Sequence, residues 1–554
     1  MEKIFTVGLN SNRALIDIGY EIIELPIFNG NESEYHDFVI NNFKILDFDK
    51  LIIDLSSNPI VGFKIAYHIR LSLTELKEKC LVPILFVTHE SVLQVMLSNP
   101  IWSHILSTEG VMFSNYNLAK IEIENLEPLK SGNYQTQFLD VIQVQPDEKI
   151  GKHSIANLWG AFSMDEASNL NVLKTDKEAQ KVFHKLYFKY IYAFQFDFEG
   201  LKNNGLNKSN KVISLSKGKI NSIGKKILLI DDEADKGWEL VLKSIFETSH
   251  KNDFQVINEQ VKDFDSFSIE SKILIDSNDF DLYLVDLRLN GIQEQGNKSI
   301  EEFSGTSVLK HIKKNKGKQV MVFTASNKAW NIQTLLELGA DSYYIKESPE
   351  YKFSKEISKS NFETFLGNTE RLLKRNYLRG LFSRIEIIKA KLQSFKSSNK
   401  YDSNFLNELE LLLDQAFEMH YSAISEKQFA YAYVTLYMII ERINTEFVIE
   451  GVDHFWFVGT MQFYNWVIDN NSRLPAEQPA HFSSRKKPFQ WCSMANIIFR
   501  KFGIHDIPFI NKTRLLINLR NDFIHSNAGI DPKIYNSIGF TELFETVERI
   551  LNYF

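Results

Sequence analysis

The chain has 554 residues, 44% of them hydrophobic, and a formal net charge of −7. That length implies about three or four domains, and the apolar content excludes general disorder. The mild acidity excludes a whole-chain basic field for nucleic acid, and two cysteines, Cys80 and Cys492, exclude a disulfide framework or a cysteine zinc cluster.

The N-terminus, MEKIFTVGLNSNRA, lacks the apolar core of a signal peptide, and no run approaches about 18 apolar residues. A soluble, cytoplasmic protein without membrane contact is expected. From 1 to about 120, strand-like runs alternate with helical ones: FTVGL, YEIIELPIF, KLIIDLS, VPILFVT and GVMFS. Such alternation predicts a parallel α/β sheet. A mostly helical stretch follows to about 200, including KHSIANLWGAF, to which only packing is assigned. LKNNGLNKSNKVISLSKGKINSIGKK then reads as a linker.

A second alternation runs from 226 to about 346. KKILLI ends in Asp231-Asp232-Glu233, DLYLVD ends at Asp286, QVMVFT ends at Thr324, and DSYYIK ends at Lys346. In a parallel sheet, ligand-binding groups gather at the carboxyl ends of the strands, where all four features lie. Crowded carboxylates need a cation, and hard oxygen ligands with room for water suit Mg²⁺. Such a site can move a phosphoryl group onto a carboxylate.

This pattern resembles the receiver domain of bacterial two-component response regulators, over about 120 residues. The resemblance implies a flavodoxin-like, doubly wound fold that takes phosphate on Asp286 from a sensor histidine kinase or another phosphodonor. It implies Mg²⁺ held by Asp231, Asp232, Asp286 and the backbone carbonyl of Arg288. It makes Thr324, Lys346 and the aromatic Tyr343 the parts of a phosphate-driven switch. Two departures stand out: Lys346 is followed by Glu347-Ser348-Pro349 where the family places proline directly, and the loop NGIQEQGNKSIEEFSG is long.

Residues 1–120 repeat the rhythm in weaker form. Asp54 and Thr88 sit at strand ends, but the first strand runs into Gly8-Leu9-Asn10 without an acidic pair, and no lysine sits at the expected strand end near GVMFSNYN. Asp54 would lack both metal and counter-charge, so a degenerate receiver-like domain for docking or dimerisation is expected.

Beyond about 362 the strand signals stop. Leu378, Leu381, Ile385, Ile388 and Leu392 recur at alternating spacings of three and four, a coiled-coil seam or a core-facing helix. Further helices are predicted near 403–424, 427–450, 489–502, 509–526 and 536–552, with an irregular stretch at 451–488. In LINLRNDFIHSN, Asn521 and His525 share one helical face, flanked by Arg520. This resembles the R-X4-H motif of HEPN domains, many of which are metal-independent ribonucleases. His525 would serve as general acid or base, Arg520 would hold the phosphate, and Asn521 would orient it. The resemblance implies a homodimer that builds its RNA cleft from two copies. Arg485, Lys486 and Lys487 beside Trp491 suggest a weak single-stranded RNA grip, with a solvated loop as the blander reading.

These readings divide the chain into a degenerate receiver-like domain (1–145), a helical connector and linker (146–225), a phosphoacceptor receiver (226–361) and a helical HEPN-like output domain (362–554). The expected function is a response regulator whose phosphorylated Asp286 controls RNA cleavage, in growth arrest or phage defence. The alternative is a non-enzymatic adaptor or phosphate sink whose bundle binds a partner protein.

Overall fold

Short, largely apolar runs such as Lys50–Asp54 and Leu282–Asp286, in which every residue is buried, are interior strands of sheets covered on both faces. The computed structural model places them so, and it describes all residues except 1, 147–151, 197–217, 291–297, 326–328, 350–352, 453–454, 470–471, 480–486 and 526–535. The linker and most of the long loop after Asp286 therefore lie outside the described residues. Contacts divide the chain into two units: Met1–Ile312 with Gln319–Lys374, and Lys313–Lys318 with Arg375–Phe554.

The first unit holds two sheets of one topology. Strands β1 (Ile4–Gly8), β2 (Glu21–Glu24), β3 (Lys50–Asp54), β4 (Ile84–Val87) and β5 (Val111–Ser114) pair in the order β2-β1-β3-β4-β5. All these pairs are parallel. A minor parallel pair joins β6 (Ile220–Asn221) to β8 (Phe246–Glu247). Strands β7 (Ile227–Ile230), β9 (Phe254–Ile257), β10 (Leu282–Asp286), β11 (Val320–Thr324) and β12 (Ser342–Ile345) pair in the order β12-β11-β10-β7-β9, again all parallel. Read from each sheet's own first strand, both orders are 2-1-3-4-5, the flavodoxin-like arrangement. Strand β9 is not legible in the sequence because its run, FQVI, is short and flanked on both sides by polar residues.

Local chemistry fixes the entries to the helices. Asn12 caps helix Arg13–Ile18, and Asn58 caps helix Pro59–Leu71, which begins with proline. Gly305 opens the helix after β10 so closely that a Cβ there would lie 2.0 Å from the Asp286 carbonyl oxygen.

The connector is built into both cores. Leu186 and Ala193 of helix Leu186–Phe194 join the first domain's core, and Lys189 Nζ donates to Ser72 Oγ at 2.7 Å. Ala161 and Met164 of helix Lys152–Ser168 join the second core beside Trp238, Phe323 and Tyr344. Gly160 lets that helix settle on Trp238, since a Cβ there would meet the indole at 2.8 Å.

The second unit is mostly helical: Tyr377–Ser397, Ser403–Ser422, Glu426–Phe447, Gln490–Asn496, Ile507–His525 and Ser537–Asn552. Leu378, Leu381, Ile385, Ile388 and Leu392 are all buried in its own core, so the seam is a core-facing helix face. The stretch expected to be irregular contains strands. β13 (Val448–Glu450), β14 (Trp456–Val458) and β15 (Met461–Gln462) form one antiparallel sheet, and β16 (Tyr464–Asp469) pairs with β17 (Ser472–Pro479). Apolar VIE and WFV pair in register, and Gly459, at φ +61°, makes the turn between β14 and β15. That pairing ends the preceding helix at Phe447, short of the expected 450.

The close approach at Gly305 is testable. Gly305→Ala should destabilise the first unit by about 2–3 kcal/mol, because carbonyl oxygens of Asp286 and Leu287 cannot yield as a flexible side chain can. Urea unfolding followed by Trp238 fluorescence measures it; an unchanged midpoint would contradict the packing.

Candidate functional site

Because both sheets share one topology and the same parallel pairing, their strand ends can be matched residue by residue. Ile53 lies beside Val7, and Val285 beside Ile230. Asp54 therefore corresponds to Asp286, and Gly8-Leu9 to Asp231-Asp232. Asp54 pairs with Val87 and Asp286 with Phe323, so Thr88 corresponds to Thr324. Val87 lies beside Ser114, and Phe323 beside Tyr344, which puts Tyr116 in the position of Lys346.

In the first domain the buried Asp54 carboxylate is met only by neutral donors among the contacts described. Asn12 Nδ2 donates at 2.7 Å, Ser56 Oγ at 2.8 Å, the Ser56 amide at 2.9 Å and the Tyr116 hydroxyl at 2.5 Å. Burial, with the bond to Asp54 adding to it, pushes the Tyr116 phenol up to about 12, so it stays a donor. The site has a phenol where the other has an ammonium, and glycine where the other has an acid. Four hydrogen bonds satisfy the anion without a cation. Tyr116 escaped the sequence reading because the search was for lysine; its place two residues beyond the strand end was the available signal.

The second cluster is held differently. Lys346 Nζ lies 2.8 Å from Asp231 Oδ2, 3.2 Å from Asp286 Oδ1 and 2.7 Å from Asn157 Oδ1. The same ammonium sits 5.2 Å from the ring centroid of Trp238, whose Nε1 donates to Asn157 Oδ1 at 3.3 Å. Asn157 Nδ2 donates at 2.5 Å to Glu233, which also accepts from the Ser154 hydroxyl. Asn157 and Ser154 belong to helix Lys152–Ser168, which thus places a polar cap on the carboxyl ends of the strands. Beneath it Asp286 is 3% exposed.

The electrostatics follow from this enclosure. Burial raises the Asp286 carboxyl above the carboxylate range, against the pull of Lys346. Burial, then Asp231 and Glu233, lifts Asp232 to about 7. For Lys346 burial acts to lower the pKa, but Asp231 and Asp286 outweigh it and raise it. Glu347, where the receiver family has proline, is buried; burial raises its pKa, and Ser358 Oγ donates to it at 2.7 Å. Thr324 is buried at the end of β11, Tyr343 is half-buried, and the Arg288 guanidinium lies 4.9 Å from the ring centroid of Phe303.

In the second unit Arg520 is committed to its own bundle. Its guanidinium pairs with Glu441 and lies 5.0 Å from the ring centroid of Tyr437. Helix Ile507–His525 includes Asn521 and His525, but their side chains lie outside the described residues, as do Arg485 and Lys486. Lys487 is exposed, and the Trp491 ring is covered by the Arg473 guanidinium, 4.6 Å from its centroid. No helix among the described residues is long and apolar enough to cross a membrane.

Comparison with known proteins bears on the first domain. Residues 1–114 match the family model described as Inactive Receiver domain. A search of curated proteins finds no match. Among solved structures, a two-component system response regulator/GGDEF domain protein aligns at 12% identity, covering 67% of this chain and 99% of its own, with a TM-score of 0.18. NtrX from Brucella abortus aligns at 15% identity over 43% of this chain and 50% of its own, with a TM-score of 0.19.

These findings correct the expected function. A response regulator phosphorylated on Asp286 does not stand: the receiver model matched, over residues 1–114, is that of an inactive receiver. In the structure Lys346 pairs with Asp231 and Asp286, and the same ammonium donates to Asn157 of the cap. The Mg²⁺ expectation falls with it. Oxygens of Asp231, Asp232 and Asp286 do lie within 4.8 Å of one another, yet their counter-charge is the lysine ammonium. The enzyme assignment is corrected too. No family or structural finding supports an HEPN ribonuclease, and Arg520 faces Glu441 and Tyr437.

The sequence reading also missed Ser154, Asn157 and Glu233. A signal was present: Ser154, Asn157 and Gly160 recur every three residues through KHSIANLWGAF, a small or polar stripe on an otherwise apolar helix.

Two outcomes test this account. Asp232→Asn should stabilise the first unit at pH 8 by about 1–3 kcal/mol, after allowance for partial solvent screening. The folded pKa of about 7 lies above the unfolded value of 3.8, so this group's stability is full below pH 4 and is lost as pH rises through 7. Thermal melts from pH 4 to 8 would show the difference growing with pH; a difference that shrinks would refute it. Tyr116→Phe removes one donor from a buried carboxylate and should cost about 1–3 kcal/mol, read by chemical denaturation.

Proposed function

We propose that this protein is a non-enzymatic adaptor, in which receiver folds serve as docking modules and a helical bundle as a partner-binding element. The observation that carries this reading is that the Asp54 carboxylate, in the domain matched by the inactive-receiver model, is satisfied by neutral donors of the chain itself, Asn12, Ser56 and Tyr116, with Gly8 and Tyr116 standing where the second domain has Asp231 and Lys346. A site whose acceptors are already met internally has structural rather than chemical work to do.

The first domain supplies a surface for such a role. Leu93 and Leu97 of helix Val92–Ser98, Ile101 beyond it, Met112 on edge strand β5 and Ile121 of helix Ala119–Asn125 are all exposed. Large apolar side chains left exposed around a sheet edge are a feature that in soluble proteins marks interaction sites.

The test has a chemical arm and a binding arm. Purified protein incubated with acetyl phosphate, Mg²⁺ and total RNA should gain no acid-labile phosphate and leave the RNA intact. Affinity capture after crosslinking in the source cells should recover a defined protein, and Leu97→Glu should reduce that recovery at least tenfold. Phosphate on Asp286, RNA cleavage, or capture indifferent to Leu97→Glu and to bundle-surface substitutions would overturn the adaptor reading.

A further inference from the structure

Away from both strand-end sites, helix Glu32–Phe43 of the first domain faces the connector across a group of ligating side chains. His36 and Asp37 lie on that helix, and His184 is the C-cap of helix Lys177–Phe183. Each offers one ligand atom, and these atoms lie within 4.8 Å of one another. We propose that His36, Asp37 and His184 bind a divalent transition-metal ion of the zinc class, which clamps the connector to the first domain.

Three observations support the site. The donor set is two imidazoles and one carboxylate, which favours Zn²⁺, Co²⁺ or Ni²⁺ over the hard cations that want oxygen alone. His36 is 6% exposed, and its buried Nδ1 has no hydrogen-bond partner, an unmet polar group in a packed place. Burial of the three grades from His36 inward, through half-buried His184, to Asp37 at the surface, so the group is reached from solvent on the Asp37 side.

The surroundings set the geometry and the charge. The His36 and His184 rings stack with centroids 3.7 Å apart and planes 19° from parallel. Lone pairs lie in the ring planes, so taking up an ion requires the rings to splay, and His184, half-buried, is the one with room to turn. Buried Lys189 brings a nearby positive charge, and Asp37, Glu32 and Glu75 act on it from the other side. Binding would tie residues far apart in sequence through one ion, in the way structural metal sites do.

The experiment uses the full chain, stripped of metal with a chelator and titrated with Co²⁺ and then Zn²⁺. Wild type should take up one equivalent of Co²⁺ with visible d–d absorption of nitrogen and oxygen ligation, displaced by Zn²⁺. Zn²⁺ should also raise its melting temperature. His184→Ala and Asp37→Asn, at half-buried and exposed positions, should fold normally by circular dichroism and weaken binding at least tenfold. Binding that is absent in wild type, or unchanged in His184→Ala and so attributable to the Asp231, Asp232 and Asp286 cluster, would overturn the site.

Discussion

The first unit turns on one ammonium group. Lys346 Nζ sits between Asp231, Asp286 and Asn157, with the face of Trp238 alongside. Three crowded carboxyl groups at the ends of neighbouring strands, two of them buried, would repel one another in a medium of low dielectric. The lysine offsets two of them, and Asn157 takes one of its hydrogens. The cap helix is thus held by the same charge that holds the sheet together, and Gly160 admits it to the depth at which Asn157 can reach. Removing the lysine would unsettle carboxylates, cap and indole together, which is why buried ion networks are costly to break even where they add little net stability.

The two α/β domains solve one problem in two ways. Each folds a carboxylate into the third strand's end, and each must satisfy it. The second uses a cation and a neighbouring helix. The first uses a phenol, an amide and a hydroxyl, with Asn12 both capping its own helix and donating to Asp54. A neutral set satisfies hydrogen bonding without importing charge, so the Asp54 site has no need of a cation or a cover.

Much of the fold was legible in the sequence. Apolar runs of four to six residues, punctuated by polar turns, identified nine of the ten principal strands, and the threefold and fourfold spacing of Leu378 to Leu392 marked a buried face. The positions of Asp231, Asp232, Asp286, Thr324 and Lys346 at strand ends could be read directly. What those residues do could not, because it depends on Asn157, whose hydrogen bond to Lys346 spans 189 residues. Strand-end acids look alike whether a pocket is open or filled by another part of the chain. The R-X4-H pattern failed for a related reason: Arg520 meets Glu441, a carboxylate 79 residues away.

The position of the cap in the chain also bears on how the second domain is made. Asn157 leaves the ribosome 189 residues ahead of Lys346, a lead of roughly 10–40 s at ordinary rates of synthesis. The first sheet and the connector helices are therefore available before β12 has emerged. When the lysine arrives, the helix that receives it is already present, and the acidic ends of β7 and β10 gain their counter-ion and their cover in the same event.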